Sequence, residues 1–219
     1  MTTAIIGIGN IGGTIARELA AGGEELVLSA TDQDAVQKLA REIGASAATG
    51  NREAVRRADA VVLALWLDPM RGVIEELADL LPGKLVIDTS NPISYRADGS
   101  VTRTLPDGQS SGEVVSGLLP PGTRFAKAFG TMSAQMLGEG ANREPGLAVA
   151  FYATDDDTAA AETERLIRAA GFEPVRAGGV QASIRIEVGG DLHAFGGLNG
   201  RYIEKKEADD LVHATERSS

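Results

Sequence analysis

The sequence predicts an α/β protein built on a Rossmann-type, doubly wound parallel sheet with a small C-terminal α/β appendix. Three observations predict it. A glycine turn, Gly7-Ile8-Gly9-Asn10-Ile11-Gly12, joins an apolar run to a helical pattern at the start of the chain. Short apolar runs then alternate with helical patterns, which is how a parallel sheet with crossover helices reads. Glycine and proline mark the junctions between them.

The first strand is Ala4–Ile8 and the first helix Ile11–Ala21, with Ile11, Ile15 and Leu19 spaced by four on one face. Gly22-Gly23 ends that helix. Glu25–Ala30 is the second strand, Asp32–Ile43 the second helix, closed by Gly44, and Ala45–Thr49 a short third strand. Asn51–Arg57 is a short helix and Ala60–Leu65 a buried strand. Met70–Leu81 is a helix opened by Pro69 and stopped by Pro82-Gly83. Leu85–Asp88 is a buried strand ending in Thr89-Ser90-Asn91-Pro92.

The second half is less regular. Ser94 to Gly112 is polar and glycine-rich and reads as a loop. Ser111–Leu118 is a helix, Arg124–Phe129 a strand, and Gly130–Pro145 is punctuated by glycine. Leu147–Tyr152 is a strand and Asp155–Ala170 a helix whose three leading aspartates suit the helix dipole. Phe172–Arg176 is a strand, and Val180–Val188 is helical before Gly189-Gly190. Ile203 to Ser219 is charged and reads as a frayed end. The expected organisation is a dinucleotide-binding domain over 1–125, a smaller substrate domain over 126–205 and a polar tail over 206–219.

The glycine turn has a chemical reading. Gly7 permits the tight turn, Gly9 lets backbone approach a pyrophosphate, and Gly12 lets helix and strand pack closely. The first N–H groups of the helix and its positive dipole end then face the phosphates. At the end of the second strand stands Ser29-Ala30-Thr31-Asp32, with Asp32 twenty residues after Gly12. Asp32 is either a ribose ligand for NAD or the N-cap of the second helix. Ser29 and Thr31 are candidates for a 2′-phosphate, with no arginine beside them. These residues leave NADP and NAD both open.

Composition narrows the function. The net charge of −10 argues against nucleic acid or an anionic membrane as the main partner. The chain has no cysteine, so disulfides, thiolate catalysis and zinc–thiolate sites are excluded. Its only histidines are His193 and His213, which argues against a Ser-His-Asp triad or a multi-histidine metal site. No apolar run approaches the roughly 20 residues that span a bilayer. The N-terminus enters the first strand directly, with no visible signal peptide, so a cytoplasmic location is expected.

Several segments together carry a family resemblance: GIGNIGGTIARELAAGGEELVLS, ADAVVLAL with Trp66, LVIDTSNP, KAFGTMSA and GFEPVRAGG. The chain resembles the NADP oxidoreductases that depend on the 8-hydroxy-5-deazaflavin coenzyme F-420. It is also similar to the cytosolic reductase domain of transmembrane ferric reductases. The resemblance covers residues 3 to about 200, and it implies hydride transfer between NADP(H) and a deazaflavin or flavin-like acceptor. It implies that Gly7, Gly9, Asn10, Ile11 and Gly12 hold the pyrophosphate. Ser29, Ala30 and Thr31 fall at the 2′-phosphate position, and Ala64, Leu65 and Trp66 border the adenosine or ribose. Asn91 and Pro92 border the nicotinamide ribose, and Phe129, Gly130, Thr131, Met132, Ser133 and Ala134 line the hydride-transfer pocket. The chain departs from the family where Ala30-Thr31-Asp32 replaces a Ser-Arg-Arg-like segment, and where Gly130 replaces a histidine.

Hydride transfer between stacked rings asks the protein for orientation and water exclusion rather than a nucleophile. No catalytic side chain and no metal ligand are therefore assigned. Two other readings stand beside this one: a reductase of a small imine or carbonyl compound, with Tyr95 or Asp88 as proton donor, and a non-catalytic NAD(P)-binding sensor. Several residues also have plain structural readings. Trp66 can pack in a core, Asn91-Pro92 can be only a turn, and Lys127 reads as an exposed strand lysine. Met132 and Met136 read as packing, Arg185 and Glu187 as an ion pair, and His193 as structural. A homodimer is expected because the stretch Gly189–Gly200 must pack on something.

Overall fold

The computed structural model describes residues 1–216. Ten strands and eight α-helices follow in order: β1 (Thr2–Ile6), α1 (Asn10–Ala21), β2 (Glu25–Ser29), α2 (Gln33–Ile43), β3 (Ser46–Ala47), α3 (Asn51–Arg56) and β4 (Ala60–Leu63). Then come α4 (Leu67–Leu77), β5 (Leu85–Asp88), β6 (Ile93–Tyr95), β7 (Val101–Arg103), α5 (Ser111–Leu118) and β8 (Arg124–Ala128). The last elements are α6 (Ala134–Gly140), β9 (Val149–Ala153), α7 (Asp157–Ala169), β10 (Glu173–Gly178), a 3₁₀ helix (Val180–Arg185) and α8 (Lys205–Glu216).

Eight strands form one sheet in the order β10-β9-β8-β5-β4-β1-β2-β3. The fold is the expected Rossmann-type α/β architecture. Strands β3 to β8 along that order run parallel, so their carboxyl ends share one edge. Ile6 is level with Ser29 and Leu63, Leu63 with Asp88, and Asp88 with Lys127. The turns that follow these residues therefore meet on one side of the molecule, where open α/β sheets bind ligands. At β8 the direction reverses: β9 runs antiparallel to it and β10 parallel to β9.

The apolar strand runs bury both faces, as parallel strands flanked by helices require. Alternation sends Ile5, Leu28, Val62 and Ile87 to a core shared with Ile15 and Leu19 of α1, Val36 of α2 and Leu166 of α7. Ile6, Val27, Val61 and Leu63 face Val55 of α3, Ile74 of α4 and Val115 of α5 on the other side. A third cluster joins Phe151 and Val175 to Ile186, Leu192, Leu198 and Val212.

Four sequence readings are corrected. Within the expected loop from Ser94 to Gly112, β6 and β7 form an antiparallel hairpin turned at Asp98-Gly99, where Gly99 has φ 82°. The charged C-terminal stretch is the helix α8, with Ala208 and Val212 buried; residues 217–219 of that expected tail lie outside the described residues. The helix expected over Met70–Leu81 starts at Leu67 and ends at Leu77, with Pro69 inside its first turn. The segment from Val180 is a 3₁₀ helix that stops at Arg185. No helix among the described residues is long and apolar enough to cross a membrane.

Candidate functional site at the carboxyl edge of the sheet

The glycine turn follows β1 as expected. Gly7 has φ 92°, and a Cβ there would lie 2.5 Å from the Ala64 carbonyl oxygen. A Cβ on Gly12 would lie 2.0 Å from the Gly7 oxygen. Close packing thus demands glycine at both positions, and at Gly7 the backbone conformation demands it as well. Gly9 differs. Its φ of −63° suits any residue, and a Cβ there would meet nothing within 4 Å. Neither conformation nor packing inside the chain demands glycine at this point, and the open cradle before it fits a pyrophosphate. No side chain caps α1, and its first turn carries no acidic residue. The helix start therefore presents backbone N–H groups and dipole to an anion.

The end of β2 is less open. Ser29 is buried and its hydroxyl donates to Asn51 Oδ1 at 2.9 Å, so it is committed inside the fold. Ala30 is half-buried, and Thr31 and Asp32 are exposed. Asp32 is the N-cap of α2: its Oδ1 accepts from Ala35 N at 3.0 Å.

Ala64 and Leu65 follow β4 and wall the turn; a Cβ on Gly7 would lie 2.9 Å from Leu65 Cδ2. Trp66 is 56 % exposed, which removes the core-packing reading. Its ring meets Tyr95 of the hairpin edge-on, with centroids 6.0 Å apart. The structure thus gathers Gly7, Gly9, Asn10, Ile11, Gly12, Ala64, Leu65 and Trp66 around one turn, with Ser29 turned inward.

The loop after β8 forms the other side. Phe129 holds φ 61°, a costly conformation for a bulky residue and one that clusters at functional sites. Phe129, Gly130, Thr131 and Met132 are buried, whereas Ser133 and Ala134 are half-buried at the start of α6. Ser133 caps α6 by accepting from Met136 N at 3.1 Å. The loop is roofed by the stretch after the 3₁₀ helix. Asn91 Nδ2 donates to the Gly130 oxygen at 2.9 Å, while its Oδ1 accepts from Val188 N at 2.7 Å. Pro92 beside it is buried. His193 Nε2 lies 3.0 Å from the same Gly130 oxygen, and His193 Nδ1 accepts from Phe195 N at 2.8 Å. Ala194 N donates to the Thr131 oxygen at 3.0 Å. These bonds fit the Nε2–H tautomer of a neutral ring. Burial, reinforced by the Lys127 charge, pushes the His193 pKa down to about 4. The Gly189–Gly200 stretch is packed within its own chain, which removes the ground on which a homodimer was expected.

Beneath this loop lies a buried charge cluster. Lys127 is 1 % exposed, which corrects the exposed-lysine reading. Its Nζ donates to Asp88 Oδ2 at 2.7 Å, to Ser111 Oγ at 2.8 Å and to the Ser90 oxygen. Glu187 Oε1 accepts from Ser111 Oγ at 2.7 Å and Gly112 N at 3.0 Å, and lies 3.7 Å from Lys127 Nζ. Glu187 Oε2, also buried, has no hydrogen-bond partner among the described residues. The expected Arg185–Glu187 pair does not form; Arg185 binds Asp191 at 2.8 Å instead. Asp88 is fully buried and held by Ser90 N at 2.8 Å and by Lys127, so it is not placed to give a proton to a ligand.

Sequence reading missed three features. Val188, and Glu187 as a partner of Lys127 and Ser111 rather than of Arg185, reach the site from far along the chain and carry no local signal. Phe195, 58 % exposed beside the buried loop, is a large apolar side chain in a glycine-rich stretch, and that contrast was the available signal. Arg17 and Lys38 open onto the groove in front of Gly9, a placement visible only once α1 and α2 are side by side.

The family model described as NADP oxidoreductase, coenzyme F-420-dependent, matches residues 2–92. The F-420-dependent NADP reductase of Methanothermobacter marburgensis is 30 % identical over 142 residues, 60 % of this chain and 63 % of the relative. The reductase of the same name from Methanothermobacter thermautotrophicus is 30 % identical over 151 residues, 64 % of this chain and 65 % of the relative. The chain therefore spans just under two thirds of the curated relatives it matches. A solved hypothetical protein of Sinorhizobium meliloti superposes with a TM-score of 0.79 at 28 % identity, over 89 % of this chain and 93 % of the other. The matched segment contains the glycine turn, β2, β4 and the Asn91-Pro92 turn, and over it the chain is similar to the NADP oxidoreductase, coenzyme F-420-dependent family.

Proposed function

We propose that this chain transfers a hydride between NADP(H) and the deazaflavin coenzyme F-420. The observation that carries the proposal is Gly9, a glycine that the chain's own packing does not require, at an uncapped helix start on the sheet's carboxyl edge. Residues 1–125 hold the dinucleotide and residues 126–205 supply the acceptor side. The backbone at Gly7, Gly9, Asn10, Ile11 and Gly12 binds the pyrophosphate, and Ala64, Leu65 and Trp66 border the ribose side. Asn91 and Pro92 fix the turn at the nicotinamide ribose. Phe129 to Ser133 line the acceptor pocket, with Ala134 at its rim.

The two bound cofactors supply the hydride chemistry themselves. The reaction moves one hydride from NADPH to the acceptor ring and one proton from solvent to the reduced acceptor, or the reverse. The chain's part is orientation and dryness. Asn91 ties three segments together, so the floor and roof of the pocket keep one spacing. The buried loop over Phe129–Met132 excludes water from the transfer path.

The test is stopped-flow absorbance of the protein with NADPH and the deazaflavin coenzyme. Coupled bleaching of both chromophores is the expected result. Tight NADPH binding without bleaching would remove F-420 as the acceptor and leave the dinucleotide site standing.

A further inference from the structure

The end of β2 is a poor place for a phosphate. Ser29 is buried and bonded to Asn51, Ala30 has no side-chain donor, exposed Thr31 offers a single neutral hydroxyl, and Asp32 brings a carboxylate. A cationic surface lies one step away. The groove in front of Gly9 encloses about 530 Å³ between α1 and α2, and its walls include Ile8, Gly9, Asn10, Arg17, Lys38 and Glu42.

The two helices aim these cations at the turn. Both α1 and α2 begin at the carboxyl edge of the sheet, and helical side chains tilt toward the helix N-terminus. Arg17 on α1 and Lys38 on α2 therefore lean toward the glycine turn. Arg17 Nη1 is already one turn up, donating to the Gly13 oxygen at 3.2 Å. Glu42 holds the Arg17 Nε at 2.9 Å and Nη2 at 3.3 Å, which fixes the guanidinium at the groove and leaves two of its five N–H donors over. Lys38 is exposed. Two cations against one carboxylate leave the groove net positive, in a chain whose net charge is −10.

Resting on the reading of the glycine turn as an NADP(H) site, we propose that Lys38, supported by Arg17, holds the 2′-phosphate from the α1–α2 groove. In this chain the discrimination between NADP and NAD has moved from the end of β2 to the facing sides of two helices. Lys38 meets the phosphate as a point charge, and Arg17, already tied to Glu42, adds long-range attraction and directed N–H groups.

The experiment measures dissociation constants for NADPH and NADH by nicotinamide fluorescence, in the wild-type chain and in Lys38→Glu, Lys38→Arg and Arg17→Ala. Lys38 is exposed, so none of its variants disturbs a core. Lys38→Glu is expected to weaken NADPH at least tenfold and to leave NADH within about twofold. Lys38→Arg should retain the preference, and Arg17→Ala should weaken NADPH by less than Lys38→Glu. Equal losses for both dinucleotides, or none for either, overturn the groove assignment while the turn assignment stands. A wild-type chain that binds neither dinucleotide overturns both. Raising salt should weaken NADPH more than NADH, and equal salt slopes also count against the groove.

Discussion

At the carboxyl end of β1 the chain presents backbone and open space, whereas at the carboxyl ends of β5 and β8 it presents fixed charge. The first region has an uncapped helix and a glycine at which a Cβ would meet nothing within 4 Å. The second buries Lys127, Asp88 and Glu187 within one hydrogen-bonded cluster. Under the proposed hydride transfer, the difference teaches how one edge would serve two tasks. A pyrophosphate brings its own charge, so its cradle needs only dipoles and room. A hydride acceptor must sit at a set distance from its donor, so its pocket needs a floor that cannot give. Buried charge makes such a floor because displacing one partner strands the others.

The contrast predicts unequal outcomes. Lys127→Met should have the largest effect, lowering stability by about 3–5 kcal/mol in urea unfolding, because two carboxylates lose their cation in a dry site. A loss below about 1 kcal/mol would mean the cluster is wet and gives the pocket no rigid base. The pH dependence comes next. His193 is neutral in the folded chain, with its pKa lowered from 6.5 to about 4. The unfolded chain therefore binds the proton first. The stability is present above about pH 6.5 and is lost progressively down to about pH 4, by roughly 3 kcal/mol in all. His193→Gln should flatten that part of the profile, and an unchanged slope in the variant would assign the dependence to other groups.

Gly9→Val sharpens the other side. Its side chain enters open space, so the urea midpoint should not move. NADPH affinity should fall at least about a hundredfold, or about 2.7 kcal/mol. Gly12→Val is the control, since its Cβ would collide with the Gly7 backbone and destabilise the fold itself. Unaltered NADPH affinity in Gly9→Val would break the cradle reading. The smallest effect belongs to Glu187→Gln, expected within about 1 kcal/mol by the same unfolding assay. Its Oε1 keeps both donors, and Lys127 keeps Asp88 as its counter-ion, so the cluster loses one surplus negative charge rather than its pairing. A loss as large as that of Lys127→Met would make the Glu187 charge indispensable.

The half that carries the glycine turn was legible in the sequence because parallel strands buried on both faces read as unbroken apolar runs. AVVL and LVID are strands over Ala60–Leu63 and Leu85–Asp88, and the glycine turn fell between β1 and α1. The hairpin of β6 and β7 was missed because three-residue, solvated strands carry no apolar alternation. Helix α8 was missed because its core-facing stripe is short, formed by Ala208, Leu211 and Val212 among charged neighbours. At the site, the glycine turn and the uncapped helix start behind it were legible because they are local in sequence. The burial of Lys127 was not, since the partners that make a buried lysine tolerable come from β5 and from the stretch after the 3₁₀ helix. The inward turn of Ser29 depends likewise on Asn51, at the start of α3.

The reversal at β8 carries a consequence for how the halves of the sheet hold together. Strands β8 and β9 share two registered pairs, Lys127 with Ala153 and Ala128 with Tyr152, whereas β1 and β2 share five. Only the edge pair β2–β3 has as short a ladder, so cooperative melting across this interior seam depends on side chains. Helix α7 provides them, with Leu166 and Ile167 in the same core as Ile15 and Ile87. One helix on the far side of that seam stitches it shut, and trimming Leu166 should make the two halves exchange their amide protons as separate units.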